Sequence, residues 1–347
     1  MAKIVDWSGH IGRRLRLRDL HVFAAVVQLG SMAKAAAQLH VTQPAVSQVI
    51  ADLESALGVS LLDRSPRGVT PTVYGEALLK GGSAAFDDLK QAIKEIEFLA
   101  DPTSGEVRIG CPETVAVLIT PVIERLSRKH PGIVLHVSEV VAPTLDIPRL
   151  RDRTLDLALV RVAGSPSAHR YGDDLDAEVL LNDDAKIVVG KDSPWSRRRK
   201  IDLAELAGER WILPPVGSLN HTLVLEAFAE RGLGVPKVSL VTYSMQLRAN
   251  LVAGQRYVTI FPQSLMRLFA DSMRLKVLPI VLPSKEWPIA MLTLKHRMLN
   301  PVARIFIAEM RHTFNELAGP LDGRGGKRAR ECAEDPSGDP HFAPPIC

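Results

Sequence analysis

Between Thr42 and Glu54 the chain reads TQPAVSQVIADLE. On a helical wheel Pro44, Ser47, Gln48 and Ala51 fall on one side, with Gln43 at the leading edge, while Val46, Val49, Ile50, Leu53 and Leu57 fall on the other. Glutamine presents a donor and an acceptor together and so suits two-point contact with a base edge, and a serine hydroxyl reaches a base or a phosphate. Thr42 suits the N-cap, and Pro44 costs little in the first turn, where N–H groups have no intrahelical partner, while stiffening that end. Arg64 precedes, and Arg67 lies within, a Ser-Pro-Arg-Gly turn between two short extended runs, where they suit the phosphate backbone or minor groove, and Lys34 adds to the basic group. A short-turned helix pair whose second helix shows small polar residues has the shape that enters a DNA major groove. A helical subdomain with a solvated polar face is the other reading of the same pattern.

Other chemistries find less support. There is no Gly-x-Ser-x-Gly elbow, no His-Glu-x-x-His helix and no Gly-x-Gly-x-x-Gly fingerprint, so the expectation is a protein that is not an enzyme. The ten histidines are scattered without ligand spacing; His169 and His221 near the expected cleft are read as packed or ligand-facing. The cysteines Cys111, Cys332 and Cys347 form no disulfide or metal pattern, so neither metal nor cofactor is expected. Cys111 ends a strand beside the cleft; a redox-responsive regulator using its thiol is an alternative, with burial as a small apolar residue the preferred reading.

The elements that would position these residues follow from periodicity. The 347 residues, 46% hydrophobic and 24% charged, allow two or three globular domains, and the net charge of +4 permits a polyanionic partner without proving one. No apolar run long enough to span a membrane occurs and the N-terminus lacks a signal-peptide core, so a cytoplasmic protein without membrane contact is expected. After an extension over 1–16, residues 17–71 read as helices ending at Gly30 and Gly58, with Ser31 capping the alanine-rich middle one, followed by a strand-turn-strand. Residues 72–99 read as one long helix. Leu79, Phe86 and Ile93 are seven apart, as are Leu89 and Ile96, an a/d seam that predicts a helix-pairing surface. A Pro- and Gly-containing hinge is expected over 100–106, alternating strands and helices in two α/β lobes over 107–318, and a disordered tail over 319–347. The alternation predicts parallel sheets, with a cleft between the lobes.

The run LRDLHVFAAVVQLGSMAKAAAQLHVTQPAVSQVIADLESALGVSLLDRSPRGVTPTVYGEALL resembles the winged helix-turn-helix of LysR-type transcriptional regulators. The match rests on the Phe23 helix, Gly30-Ser31, TQPAVS, Asp52 to Glu54, LLDR and Thr72 to Gly75, and residues 17 to about 317 follow the family's order of domains. The resemblance implies an α+β multidomain chain: a winged helix-turn-helix, a linker helix and a two-lobed α/β, periplasmic-binding-protein-like effector domain. It implies a sequence-specific regulator, a dimer of dimers, that binds double-stranded promoter DNA and answers to a small-molecule effector; RNA polymerase is a further candidate partner. Gln48 stands where many relatives carry arginine, and Leu62 where phenylalanine is usual.

Matching by spacing to the family, the expected effector contacts are Thr114 after the first strand, Arg161 after DLALV, Pro214, Gly217 and Ser218 after WILPP, and Thr242 after VSLV. Thr144 is expected in a loop one residue longer than in some relatives. Arg161 is read either as a bidentate partner for a carboxylate or as one half of an ordinary surface ion pair. Tyr257, where glycine is common, is read as packing against its lobe. A solute-binding transport protein would share the lobes but would lack the N-terminal helices.

Overall fold

The computed structural model describes residues 15–66, 68–139, 147–161, 172–254, 256–282 and 287–318. Arg67, Thr144, His169 and the tail fall outside the described residues, as does the extension up to residue 14.

Three helices open the described chain: α1 (Leu17–Leu29), α2 (Met32–Gln38) and α3 (Gln43–Leu57). Each boundary has a local cause. Gly30 and Gly58 end α1 and α3 in the left-handed conformation, the Ser31 hydroxyl accepts the Lys34 N–H at 3.4 Å, and the Thr42 hydroxyl accepts that of Ala45 at 3.4 Å. Phe23, Val26, Ala35, Val46, Ile50 and Leu53 meet in one buried cluster, whose alanines let α2 lie close to its neighbours. Strands β1 (Leu62–Ser65) and β2 (Gly68–Pro71) form the antiparallel wing, registered Leu62 to Pro71. The wing docks through backbone: Val69 N–H donates to Gly30 O at 3.0 Å.

Helix α4 (Val73–Ala100) has 28 residues. Thr72 caps it by accepting the Gly75 N–H at 3.2 Å, and its own hydroxyl donates to Ser60 O at 2.7 Å, so the helix starts locked to the wing. Gly75 lies so close to the Leu61 carbonyl that a Cβ there would stand 2.2 Å from its oxygen. The expected hinge over 100–106 is narrower than the sequence suggested: Ala100 belongs to α4, and β3 (Ser104–Cys111) has already begun. Between them the Asp101 carboxylate accepts the Thr103 N–H at 3.0 Å and hydroxyl at 2.6 Å, a self-bonded turn in place of a loose segment.

The first lobe is a sheet ordered β4 (Gly132–Glu139), β3, β5 (Leu157–Arg161), β12 (Ile289–Leu294) and β6 (Leu175–Leu181). Helices α5 (Glu113–Ala116), α6 (Thr120–Lys129) and α11 (Pro301–Ala318) cover one face, and α7 (Ile147–Arg151) packs on the other. The second lobe holds β7 (Ala185–Gly190) between β10 (Thr259–Pro262) and β11 (Leu275–Val277), and a parallel pair β8 (Trp211–Leu213) and β9 (Val238–Val241). Its helices are α8 (Leu219–Ala229), α9 (Met245–Ala253) and α10 (Gln263–Phe269).

The expectation of parallel sheets holds only in part. β3 runs parallel to β4 and β5, but β12 is antiparallel to both β5 and β6, and β7 is antiparallel to β10 and β11. The chain crosses to the second lobe after β6 and returns to the first as β12, which therefore enters its sheet from the opposite side. Its first four residues are buried, and a strand buried on both faces carries no alternation from which its direction could be read. Strands β6 and β11 and helix α10 are elements that the sequence reading missed.

Gly75→Ala is expected to destabilise the junction of wing and α4 by about 1–3 kcal/mol, the range for forcing atoms into a packed site. Urea denaturation of the full chain checks this, and an unchanged midpoint would show that the Leu61 strand yields freely.

Candidate DNA-reading surface and inter-lobe site

On α3 the apolar side is spent on the domain core, leaving Gln43, Pro44 and Gln48 exposed and Ser47 half-buried. Lys34 on α2 is also exposed, and Arg64 on the wing is half-exposed, 3.9 Å from the Glu54 carboxylate. Glu54 also accepts the backbone N–H groups of Leu61 at 2.8 Å and Leu62 at 3.3 Å, fixing the wing to the end of α3. Gln48 donates its amide to Asp52 at 2.8 Å, one turn on, so the residue in the arginine position is partly occupied within its own helix.

The heptad residues of α4 divide into two groups. Leu79 packs against the core of the helix-turn-helix, and Phe86 meets the His21 ring edge-on at 6.1 Å. Leu89, Ile93 and Ile96 are 44%, 55% and 66% exposed, a continuous apolar stripe. The opposite side of α4 is held by charge. Asp87, buried, accepts from Arg297 Nε at 2.7 Å and Nη2 at 3.0 Å, and from Arg153 at 2.8 Å. Arg297 also donates to Leu155 O at 2.6 Å and lies 3.2 Å from Asp156, whose other oxygen accepts the Arg108 N–H at 2.9 Å. Burial alone would raise the Asp87 pKa, but the hydrogen bonds from Arg297 and Arg153 outweigh it and hold the carboxyl below its ordinary value. Further along, Lys94 pairs with Glu106 at 3.0 Å and Arg304 with Glu95 at 2.6 Å. Nothing in the periodicity of α4 marks Asp87 or Arg297, whose partnership spans 210 residues.

The described residues expected to touch an effector lie beyond the carboxyl ends of parallel strands, where open α/β sheets bind ligands. Thr114 sits on α5 just after β3, and Arg161 ends β5. In the second lobe Pro214 and Thr242 follow the paired strands β8 and β9, and Thr242 N–H donates to Leu213 O at 3.0 Å. Gly217 turns with φ 85°, and Ser218 caps α8 by accepting the His221 N–H at 3.3 Å. The His221 ring nitrogen Nδ1 is 2.8 Å from Pro214 O, so the ring packs from α8 against the turn that precedes it. The Thr242 hydroxyl accepts the Ser244 N–H at 3.2 Å. Tyr257 packs against the second lobe beneath the Arg210 guanidinium at 4.7 Å.

Among the described residues the lobes meet through polar groups and through Val117, which packs against the second lobe's core. Glu113 Oε2 accepts the Met245 N–H at 2.7 Å. Asp183, on the crossover, accepts the Ser264 N–H at 3.0 Å and its hydroxyl, and pairs with Arg161 at 2.7 Å. Arg161 thus makes an ion pair with the chain's own Asp183, but a buried one and not the expected surface pair, because both side chains are enclosed where the lobes meet. Cys111 is buried at the end of β3. Burial and the Glu139 charge push its thiol up to about 12, against a reactive thiolate. Among the described residues there is no cluster of metal-binding side chains, and no helix is long and apolar enough to cross a membrane.

Comparison with known proteins agrees with this arrangement. Residues 17–76 match the family described as bacterial regulatory helix-turn-helix protein, lysR family, and residues 100–315 match the LysR substrate binding domain. The chain belongs to the LysR family. It is a DNA-binding transcription regulator with a helix-turn-helix and an effector-binding domain. It is 31% identical over 300 residues to the transcriptional regulator GbpR of Azospirillum brasilense, covering 86% of each chain. It is 30% identical over 292 residues to the nitrogen assimilation regulatory protein nac of Escherichia coli, covering 84% of this chain and 92% of that one. Among solved structures it shares its fold with a full-length OxyR variant from Pseudomonas aeruginosa, at TM-score 0.56, 20% identity and coverage of 86% and 95%. Full-length CbnR complexed with its target DNA matches at TM-score 0.52, 20% identity and coverage of 86% and 100%. The LysR-type architecture explains why one helix carries both the wing at its start and the first lobe along its side.

Asp87→Asn is expected to cost up to about 3–5 kcal/mol at neutral pH, the range for stranding one member of a buried ion pair. The folded pKa of Asp87 lies below its unfolded value, so this stabilisation is complete above the ordinary carboxylate range. It is lost as pH falls from about 4 through the depressed value. Denaturation of wild type and variant from about pH 7 to about pH 3 should show the gap closing on the acid side; a constant gap would contradict the assignment.

Proposed function

We propose that α3 enters the major groove of double-stranded promoter DNA, with Gln43 and Ser47 reading base edges beside Thr42, Pro44 and Gln48, while Lys34, Arg64 and Arg67 hold phosphates. The observation that carries this reading is the division of α3: Val46, Ile50 and Leu53 are buried, and Gln43, Pro44 and Gln48 stand exposed at its leading end. The exposed stripe of Leu89, Ile93 and Ile96 pairs with a second copy of the helix, since a sustained apolar seam in water calls for a partner, and two such dimers form the tetramer. Leu79 and Phe86 flank that seam where it merges with the helix-turn-helix core. Acting on promoters places the protein in the cytoplasm, within reach of RNA polymerase.

A small-molecule effector binds between the lobes, against Thr114, Arg161, Pro214, Gly217, Ser218 and Thr242, with Thr144 from the adjoining loop. The place of these residues at strand ends of both lobes supports the site, and the polar contacts of Glu113 and Asp183 between the lobes offer a ligand something to alter: it shifts the protein only so far as it binds one lobe arrangement better than another.

Gln43→Ala should lower discrimination between operator and random DNA by about 1–3 kcal/mol, as for loss of one bidentate base contact. Titrations at fixed salt measure it, and an equal loss on both DNAs would make Gln43 a backbone contact. Thr114→Val should blunt the effector's influence on operator footprints and leave DNA affinity intact; a full response would move the effector elsewhere.

A further inference from the structure

Near the end of α4 a cavity of about 340 Å³ opens between the helix and the first lobe. Lys94 and Phe98 of α4 form one side, Glu106 near the start of β3 a second, and Asn300, Pro301 and Val302 at the start of α11 the third. It lies at the other end of the sheet from the expected effector contacts. Thr114 stands just beyond the last residue of β3, whereas the cavity is lined by the first residues of that strand, roughly 20 Å away at about 3.3 Å per residue.

Asn300 is the unusual member of the lining. It is 2% exposed, and its Oδ1 accepts the Ala303 N–H at 2.8 Å, which caps α11. That bond fixes which way the amide points. The other end of the amide, Nδ2, is buried with no hydrogen-bond partner among the described residues. A buried N–H without an acceptor is costly, and an oxygen seated in the cavity that Asn300 lines would meet the need.

The surrounding charges decide which oxygen. Helix α11 is 18 residues long and presents the positive end of its dipole here. Lys94 carries three N–H donors, and Glu106 takes one of them at 3.0 Å. Glu106 is also answered by Arg108 at 2.8 Å and faces the His136 ring at 3.2 Å, so Lys94 is not its only partner. Glu97, the other carboxylate of the lining, is exposed and its charge is screened by solvent. The remaining wall, Phe98, Pro301 and Val302, is apolar, and the volume is at the small end for ligand pockets.

We propose that this cavity is a second small-molecule site, independent of the crevice between the lobes, which takes a monocarboxylate with a short apolar body. The carboxylate accepts from Asn300 Nδ2 and Lys94 Nζ at the start of α11, and the body lies against Phe98 and Val302. A molecule seated there touches the linker helix and the first lobe together, and so bears on the helix that carries the DNA-reading domain.

Calorimetric titration of the full-length protein with propionate, hexanoate and benzoate tests this, with the matching amides as uncharged controls. At least one acid should bind saturably and exceed its amide in affinity by about tenfold or more, the range for hydrogen bonds to a charged group. Asn300→Asp keeps an oxygen to cap α11 but replaces the Nδ2 donor with negative charge, and should abolish that binding. In case the buried charge unsettles the fold, Lys94→Met keeps an apolar stem, leaves Glu106 with Arg108 and His136, and should weaken the acid about tenfold. Thr114→Val should bind the acid as wild type does. Absence of saturable binding for all three acids overturns the inference, as does an acid that Asn300→Asp and Lys94→Met bind like wild type. An acid lost from Thr114→Val and kept by the other two variants belongs to the crevice and overturns it as well, and an amide that binds as tightly as its acid overturns the assignment of a carboxylate.

Discussion

The bond between Asp87 and Arg297 is the constraint on which the coupling of this molecule depends. Helix α4 bears the DNA-reading domain at its start, and farther along, the Asp87 carboxylate is gripped by two arginines of the first lobe. Buried charges differ from apolar contacts in being directional: a methyl group slides across a neighbour at little cost, whereas a carboxylate drawn away from its guanidinium becomes a bare charge in a poor solvent. The pairing therefore fixes one rotation and one height of α4 against the lobe. It turns Asp87 and Gln91 inward while Leu89, Ile93 and Ile96 face outward.

At the other end of α4 the fit is of backbone against backbone. Thr72 bonds the wing, Gly75 admits the Leu61 carbonyl, and Gly82 lies beneath Leu20 of α1. The helix thus has little freedom at either attachment, and the short Asp101 turn adds little where it passes into β3. The lobes are joined by polar contacts at Glu113 and Asp183 and by the apolar packing of Val117 on the second lobe's core.

Much of the N-terminal domain was legible in the sequence because its determinants are local. Thr42, Pro44 and Gly58 mark the limits of α3 by effects confined to a single turn, and the spacing of Val46, Ile50 and Leu53 states which side is buried. The heptad of α4 was legible as a pattern but not in its allotment. Only the packed structure shows Leu79 leaning on the helix-turn-helix core and Phe86 on His21, with the free seam beginning at Leu89. In the effector domain the strand ends were found, whereas the reversal of β12, the strands β6 and β11, and the partners of Arg161 were not.

By itself the sequence determined the family, the order of domains, the bare leading edge of α3 and the ends of the strands in both lobes. Periodicity, capping and turn chemistry act over a few residues and leave their mark on neighbours in the chain. Tertiary structure alone decided which charges meet: Asp87 with Arg297, Arg161 with Asp183, and Glu113 with the start of α9. An isolated Asp, Glu or Arg reads as solvated surface, and only desolvation beside a partner distant in the chain turns it into a bond that sets geometry.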